Sequence, residues 1–218
     1  MEFEVIRKLF DIKQNDGFSE EDIHKACEKY GNLPLVLREY YRQLGNYEQI
    51  NQAQNILCHP HNVIETKEYL IFYIENQYVT QWAIKRSDLD KDNPSVYCSW
   101  DESEFHLESE YLLNFLYAMA FFQAAYGGLQ YCPEEIYIIS HEQAQTIRSR
   151  YKKKDYELHQ WLDISYYGNH EDEVICMIKE SDCDLIKNGD YDMIYASSSK
   201  QHFDQIKEFM DKLQPDTY

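Results

Sequence analysis

The segment from residue 111 to residue 126, YLLNFLYAMAFFQAAY, carries no charged side chain in a chain that is 28% charged. A helix without a charged face is typical of a protein core. The segment is sixteen residues long, shorter than the roughly 20 that cross a bilayer core, and it contains Asn114 and Gln123. It therefore predicts a buried central helix, with Ser109 as its N-cap and a Gly-Gly pair as its stop.

The residues before this segment indicate three short helices. Residues 2–14 place apolar side chains on one face and end at an NDG turn. Ser19 opens an approximate capping box for a second helix, and Gly31 ends it. Pro34 suits the first turn of a third helix of about 11 residues, which Gly45 closes.

Three strand candidates lie between the third helix and the uncharged segment. YLIFYIE and YVTQWAI flank a tight polar tip at residues 75–77 and are rich in aromatic and β-branched residues, which predicts an antiparallel hairpin. PSVYCSW follows as a third strand, with Pro94 at its start. We expect the uncharged helix to cover one face of this sheet.

After the Gly-Gly pair the pattern changes to strand, helix, strands, helix. EIYIIS predicts a strand, and Ser140 with Gln143 predicts a capped helix running to about Lys153. WLDISYY and EVICMIKE predict a second hairpin. SDCDLIKNG fits either a short capped helix or a hairpin turn. YDMIYA predicts another strand, and Ser199 caps a final helix.

These patterns predict an α+β fold, with an antiparallel or mixed sheet packed against N-terminal helices and a long apolar helix. We expect a first domain over residues 1–127. Residues 128–218 form an α+β C-terminal extension, which either extends the same sheet within one globule or forms a companion domain.

The charge balance bears on the partner. The net charge is −18, from 21 Lys and Arg against 39 Asp and Glu. Such a field repels phosphate backbones and attracts basic surfaces, so we expect a basic protein partner, no nucleic acid and no membrane. The six cysteines show no CxxC spacing and the first twenty residues lack a signal-peptide apolar run, which predicts reduced thiols in a cytoplasmic protein. We expect a monomer or a weak dimer.

Sequence motifs for catalysis are missing. All seven glycines are explained as turn or helix-stop residues, and no P-loop, GxGxxG or GxSxG pattern occurs. The metal candidate Cys58, His59 and His61 has no second Cys/His pair at a usual spacing, and His170 in NHEDE is interpreted as part of a solvated turn. The basic residues within 148–154 complement the predicted helix end. We therefore expect no cofactor, no metal and no catalytic residue.

Two short motifs resemble a known family. The chain opens an aromatic helix with Leu-Pro, at positions 33 and 34, and then has a strand ending in Glu-Asn-Gln, a strand centred on Trp and a polar connector into Pro-x-Val. The second motif comprises Glu75, Asn76, Gln77, Trp82, Pro94 and Val96. Over about residues 20–127 the chain thus resembles the SUKH superfamily, which includes bacterial toxin-immunity proteins and fungal cell-wall assembly regulators. Family members often carry Gly after the tip and a Pro pair before the Val, where this chain has Tyr78 and NPSV.

The resemblance implies an immunity protein that neutralises a cognate toxin domain, often a nuclease, by tight binding inside the cell. An acidic inhibitor associates quickly with a basic toxin because of long-range attraction. Affinity also requires desolvated aromatic anchors with a polar rim, which predicts a recognition surface at the hairpin tip and the third strand. The candidate residues are Glu75, Asn76, Gln77, Tyr78, Trp82, Tyr97, Trp100, Asp101, Glu102 and Glu104.

Two alternatives stay open at this point. The first is a regulatory scaffold like the fungal members, which binds endogenous proteins. The second is a metal-assisted hydrolase that uses Cys58, His59, His61 or the acidic loop after the third strand.

Overall fold

The computed structural model describes residues 3–101, 103–179 and 190–217. Strands in these residues form two six-stranded sheets in which every pairing is antiparallel, so the predicted α+β class is confirmed. The ambiguous segment SDCDLIKNG lies outside the described residues.

Helices precede the first sheet, as predicted. They are α1 (Glu4–Leu9), α2 (Glu20–Tyr30), α3 (Leu35–Leu44) and the short α4 (Glu48–Asn51). The Ser19 hydroxyl accepts a hydrogen bond from the backbone N–H of Asp22, and Gly31 ends α2 at φ 85°. The first helix is shorter than predicted because the chain enters the left-handed region at Asp11, with φ 54°.

The first sheet contains the predicted hairpin. Its strands are β1 (Ile56–Leu57), β2 (Ile64–Glu65), β3 (Tyr69–Ile74), β4 (Gln81–Lys85), β5 (Val96–Ser99) and β6 (His106–Ser109). Their order is β1-β3-β4-β5-β6, with β2 also paired to β3. The hairpin is β3–β4 and the predicted third strand is β5. Three strands were not predicted, because β1 and β2 are two residues long and β6 carries His, Glu and Ser.

The uncharged segment forms helix α5 (Leu112–Gln123), in which ten of the twelve residues are buried. It lies between the two sheets. On one side Phe115 packs against Phe72 and Trp82 of the first sheet, and on the other Phe121 stacks on Tyr166 of the second sheet at 5.5 Å. No helix among the described residues is both long enough and apolar enough to cross a membrane.

The start of α5 differs from the prediction. Ser109 ends strand β6 and its hydroxyl donates to the carbonyl of Tyr111, so it does not cap the helix. The helix amides are instead satisfied from the β4–β5 connection, where the Asn93 side chain accepts from the N–H of Leu113 at 2.9 Å. The end agrees with the prediction, since a π-helical turn over Ala124–Gly128 closes with Gly127 at φ 93°.

The strands of the second sheet are interrupted along the chain by two helices. Its elements are β7 (Tyr137–Ile139), α6 (His141–Arg150), β8 (Lys153–Leu158), β9 (Asp163–Tyr167), β10 (Glu173–Lys179), β11 (Tyr191–Ser197), α7 (Lys200–Leu213) and β12 (Asp216–Thr217). The strand order is β12-β7-β11-β10-β9-β8. One face joins the core around α5, and the other face is covered by α6 and α7. Both predicted N-caps, Ser140 and Ser199, are present.

The basic run at residues 148–154 does not lie on one helix end. The helix stops at Arg150 because Tyr151 turns to an extended conformation and packs on Phe209 of α7. Lys153 and Lys154 then begin strand β8. The prediction that the helix runs to about Lys153 is therefore wrong.

A buried carboxylate joins the two sheets. Glu108 of edge strand β6 accepts hydrogen bonds from the backbone N–H groups of His159 and Gln160, at 2.7 and 3.2 Å, in the connection between β8 and β9. Its other oxygen accepts from Nε1 of Trp82 at 3.4 Å. The first sheet is thus hydrogen-bonded to a turn of the second.

Gln123→Ala is expected to destabilise the fold strongly. The fully buried Gln123 amide accepts from the N–H groups of Gln54 and Asn55 and donates to the Asn55 carbonyl and the Tyr73 hydroxyl. Removing it leaves buried polar groups unpaired, which costs roughly 2–4 kcal/mol of unfolding free energy in urea titrations. The control Gln201→Ala, on the exposed side of α7, should change that free energy by less than about 0.5 kcal/mol. Equal effects of the two variants would contradict this account.

Candidate protein-binding surface

The tip of the β3–β4 hairpin is built around Glu75. This side chain is only 4% exposed, and its carboxylate accepts from the backbone N–H groups of Gln77 and Val79 at 2.7 and 3.4 Å. The backbone of Glu75 also closes the turn, through hydrogen bonds with Tyr78 and Thr80. Glu75 therefore shapes the tip from inside, and its predicted place on the contact surface is corrected.

Tyr78 projects from this tip into solvent. Its side chain is 74% exposed, and Asn76, Gln77 and Val79 beside it are exposed as well. The backbone of Tyr78 has φ 64°, in the left-handed region that favours glycine. A non-glycine residue there costs about 1–2 kcal/mol. The chain thus holds a large aromatic side chain in solvent at a strained position.

A second exposed aromatic side chain follows strand β5. Trp100 is 52% exposed, and its indole stacks on His106 of β6 with ring centres 5.0 Å apart and planes 11° from parallel. The stacking partner orients the indole while leaving one face to solvent. Trp100 therefore has the properties of an interface anchor.

The turn after Trp100 is held by Asp101. Its carboxylate accepts from the N–H of Ser103, the Ser103 hydroxyl and the N–H of Glu104. The Ser103 N–H is the main cause of a pKa lowered below the usual value for Asp101, so the side chain stays ionised. Glu104 is exposed, with a carboxylate oxygen 3.9 Å from Nε2 of His106. Glu102 lies outside the described residues.

The hairpin tip and the Trp100 turn meet in one groove. They are brought together because β4 pairs with β5, with Gln81 opposite Ser99. The groove has a volume of about 170 Å³ and is lined by Tyr78, Val79, Thr80, Gln81, Ser99, Trp100 and Asp101. We call this groove, together with Glu104, the tip surface.

The last two predicted contact residues, Trp82 and Tyr97, point to opposite faces of the first sheet. Trp82 is 0% exposed and points to the core, where it packs against Tyr73 and Trp161, so it is not an interface anchor and that prediction is corrected. Tyr97 points to the outer face, as Ser99 does, but is half-buried against Tyr69. It lies beside the tip surface and outside the groove.

In the hairpin tip and along strand β6, three exposed apolar side chains were not predicted as contact residues. Val79 is in the tip itself, Leu107 lies on edge strand β6 opposite Tyr97, and Tyr111 follows that strand. The alternation in FHLESEY is the signal that could have identified strand β6. It would have placed Leu107 on the core face, whereas the structure exposes Leu107 and buries Glu108.

The alternative metal set does not converge. Burial raises the pKa of the Cys58 thiol to about 12, so it is protonated near neutral pH. The His59 ring packs on Phe18, and Nε2 of His61 is 2.7 Å from a carboxylate oxygen of Asp22. The arrangement gives a hydrolytic metal site at these residues no geometric support.

Tyr78→Gly is expected to stabilise the protein. Relief of the left-handed strain exceeds the entropy that glycine adds to the unfolded chain, for a net gain of about 0.5–1 kcal/mol in urea unfolding. The control Gln77→Gly, at a neighbouring exposed position without positive φ, should lose a similar amount. A loss of stability in Tyr78→Gly would show that the side chain supports the fold.

No family model, no curated protein and no solved structure matches this chain. The resemblance to the SUKH superfamily therefore stays a prediction from the motifs themselves.

Proposed function

We propose that the chain is a protein-binding module of the immunity type, which neutralises a basic, nuclease-like toxin domain by covering it with the tip surface. The observation that carries the proposal is Tyr78. The strained backbone of Tyr78 lowers the stability of the fold, and its exposed side chain buries little apolar surface to offset that cost. Backbone strain of this kind clusters at functional sites.

The composition of the tip surface supports a protein partner. Two exposed aromatic side chains, Tyr78 and Trp100, flank one groove, and interface hot spots are enriched in Tyr and Trp. Both are held in place before binding, Tyr78 by the turn that Glu75 closes and Trp100 by its stack on His106. Such preorganisation reduces the entropy lost on association.

The charge of the chain supports a basic partner. The net charge is −18, and the carboxylates of Asp101 and Glu104 lie exposed beside the two aromatic side chains. Opposite charges on the partner speed encounter and fix orientation, whereas affinity comes mainly from the buried anchors. The two contributions can therefore be separated by experiment.

The partner is identified by purification from native cells at low salt. Recovery of a basic toxin domain, followed by restored growth when the two are coexpressed, supports the proposal. Recovery of several endogenous proteins with weak salt dependence favours a regulatory scaffold instead.

Variants then test whether the partner binds the tip surface. With the recovered partner, Trp100→Ala should weaken binding by about thirtyfold or more, measured as Kd, since truncating a hot spot costs at least about 2 kcal/mol. Glu104→Lys should mainly lower the association rate, with a smaller effect at high salt.

The matched control is Glu142→Lys, an exposed position in the first turn of α6 on the far side of the second sheet. It changes the net charge by the same amount as Glu104→Lys, so any difference between the two reports the position of the charge. Equal association rates for both, with an unchanged Kd for Trp100→Ala, would show that the partner binds elsewhere.

A further inference from the structure

The turn between β9 and β10 meets the start of α7 at a group of potential metal ligands. His170 lies in the turn, Glu173 begins β10 and His202 lies in the first turn of α7. One ligand atom from each of the three lies within 4.8 Å of the other two. Among the described residues, no other group of three or more His, Cys, Asp or Glu side chains comes this close. Two imidazoles and one carboxylate are a ligand set that zinc uses in proteins.

The carboxylate of this group is fixed in advance. Glu173 is 2% exposed, and its Oε1 accepts from the backbone N–H groups of Asn169 and His170 at 2.6 and 3.2 Å. These bonds hold the turn that carries His170 next to the carboxylate. A buried, oriented carboxylate loses little entropy when it binds an ion.

The second ligand is oriented by a neighbouring acid. Both carboxylate oxygens of Asp172 lie 2.8 Å from Nδ1 of His202. With the proton on Nδ1 donated to Asp172, the lone pair of Nε2 is left for a metal ion. The same arrangement of carboxylate, histidine and metal sets the tautomer of ligands in known zinc sites.

The third ligand needs a small movement. The rings of His170 and His202 are stacked 3.8 Å apart with planes 5° from parallel. A metal ion lies in the plane of each imidazole that binds it, and two parallel planes do not share a point. The exposed His170 ring must therefore turn about its side-chain torsions for both rings to bind one ion.

We propose that His170, Glu173 and His202 bind a divalent ion of the zinc class, with Asp172 supporting His202. Zinc bonds of about 2.1 Å place tetrahedral ligand atoms about 3.4 Å apart, so the group closes by an ångström or so from its present spacing. The ion ties the β9–β10 turn to α7. The site is separate from the tip surface and does not depend on the proposed function.

The test uses the full-length protein freed of metal with a chelator. Titration calorimetry with Zn²⁺ should give one ion per chain, and Co²⁺ should give the visible absorption of a tetrahedral site. His170→Ala and His202→Ala should each weaken zinc affinity by about tenfold or more, and Asp172→Asn by a comparable factor. The control His24→Ala, on the exposed surface of α2, should bind as the wild type does.

Circular dichroism of each variant separates lost binding from lost folding. His170 is exposed in a turn, so His170→Ala remains informative even if His202→Ala fails to fold. Absence of zinc binding by the wild type overturns the proposal. So does zinc binding that His170→Ala leaves unchanged, since the ion is then held elsewhere.

Discussion

The rest of the structure depends on covering α5 on every side. A helix with no charged face has to be removed from water around its whole circumference, and a single sheet covers only one side of it. The first sheet receives Phe115, and the second sheet receives Phe121. The polar Gln123 fits this core because all of its hydrogen bonds are made within it, to the chain around residue 55 and to Tyr73.

Three buried glutamates hold turns of the chain in place. Glu75, Glu108 and Glu173 each accept hydrogen bonds from two backbone N–H groups of a turn. A charged acceptor makes such bonds stronger than neutral ones, and the turn N–H groups would otherwise need water. The same device thus presents Tyr78 at the hairpin tip, connects the two sheets, and positions the turn that carries His170.

Local patterns predicted the elements whose signal is contained in a few neighbouring residues. Both hairpins and the caps at Ser19, Ser140 and Ser199 belong to this class. What failed depends on distant partners: α5 is capped by Asn93 rather than Ser109, and β6 forms because β5 offers an edge. Of the candidate surface, Trp100 and Tyr78 were predicted and are exposed, whereas Trp82 is buried because strand direction and register decide which face a side chain takes.

The bond between Glu108 and the β8–β9 connection has an evolutionary consequence. If recombination joined the first 127 residues to an unrelated C-terminal sequence, the product would inherit a carboxylate buried without its amides and an aromatic helix flank open to water. Each half therefore needs the other to satisfy and cover its buried groups. Substitutions are easier to accommodate at positions without such contacts, such as the exposed side chains of the hairpin tip.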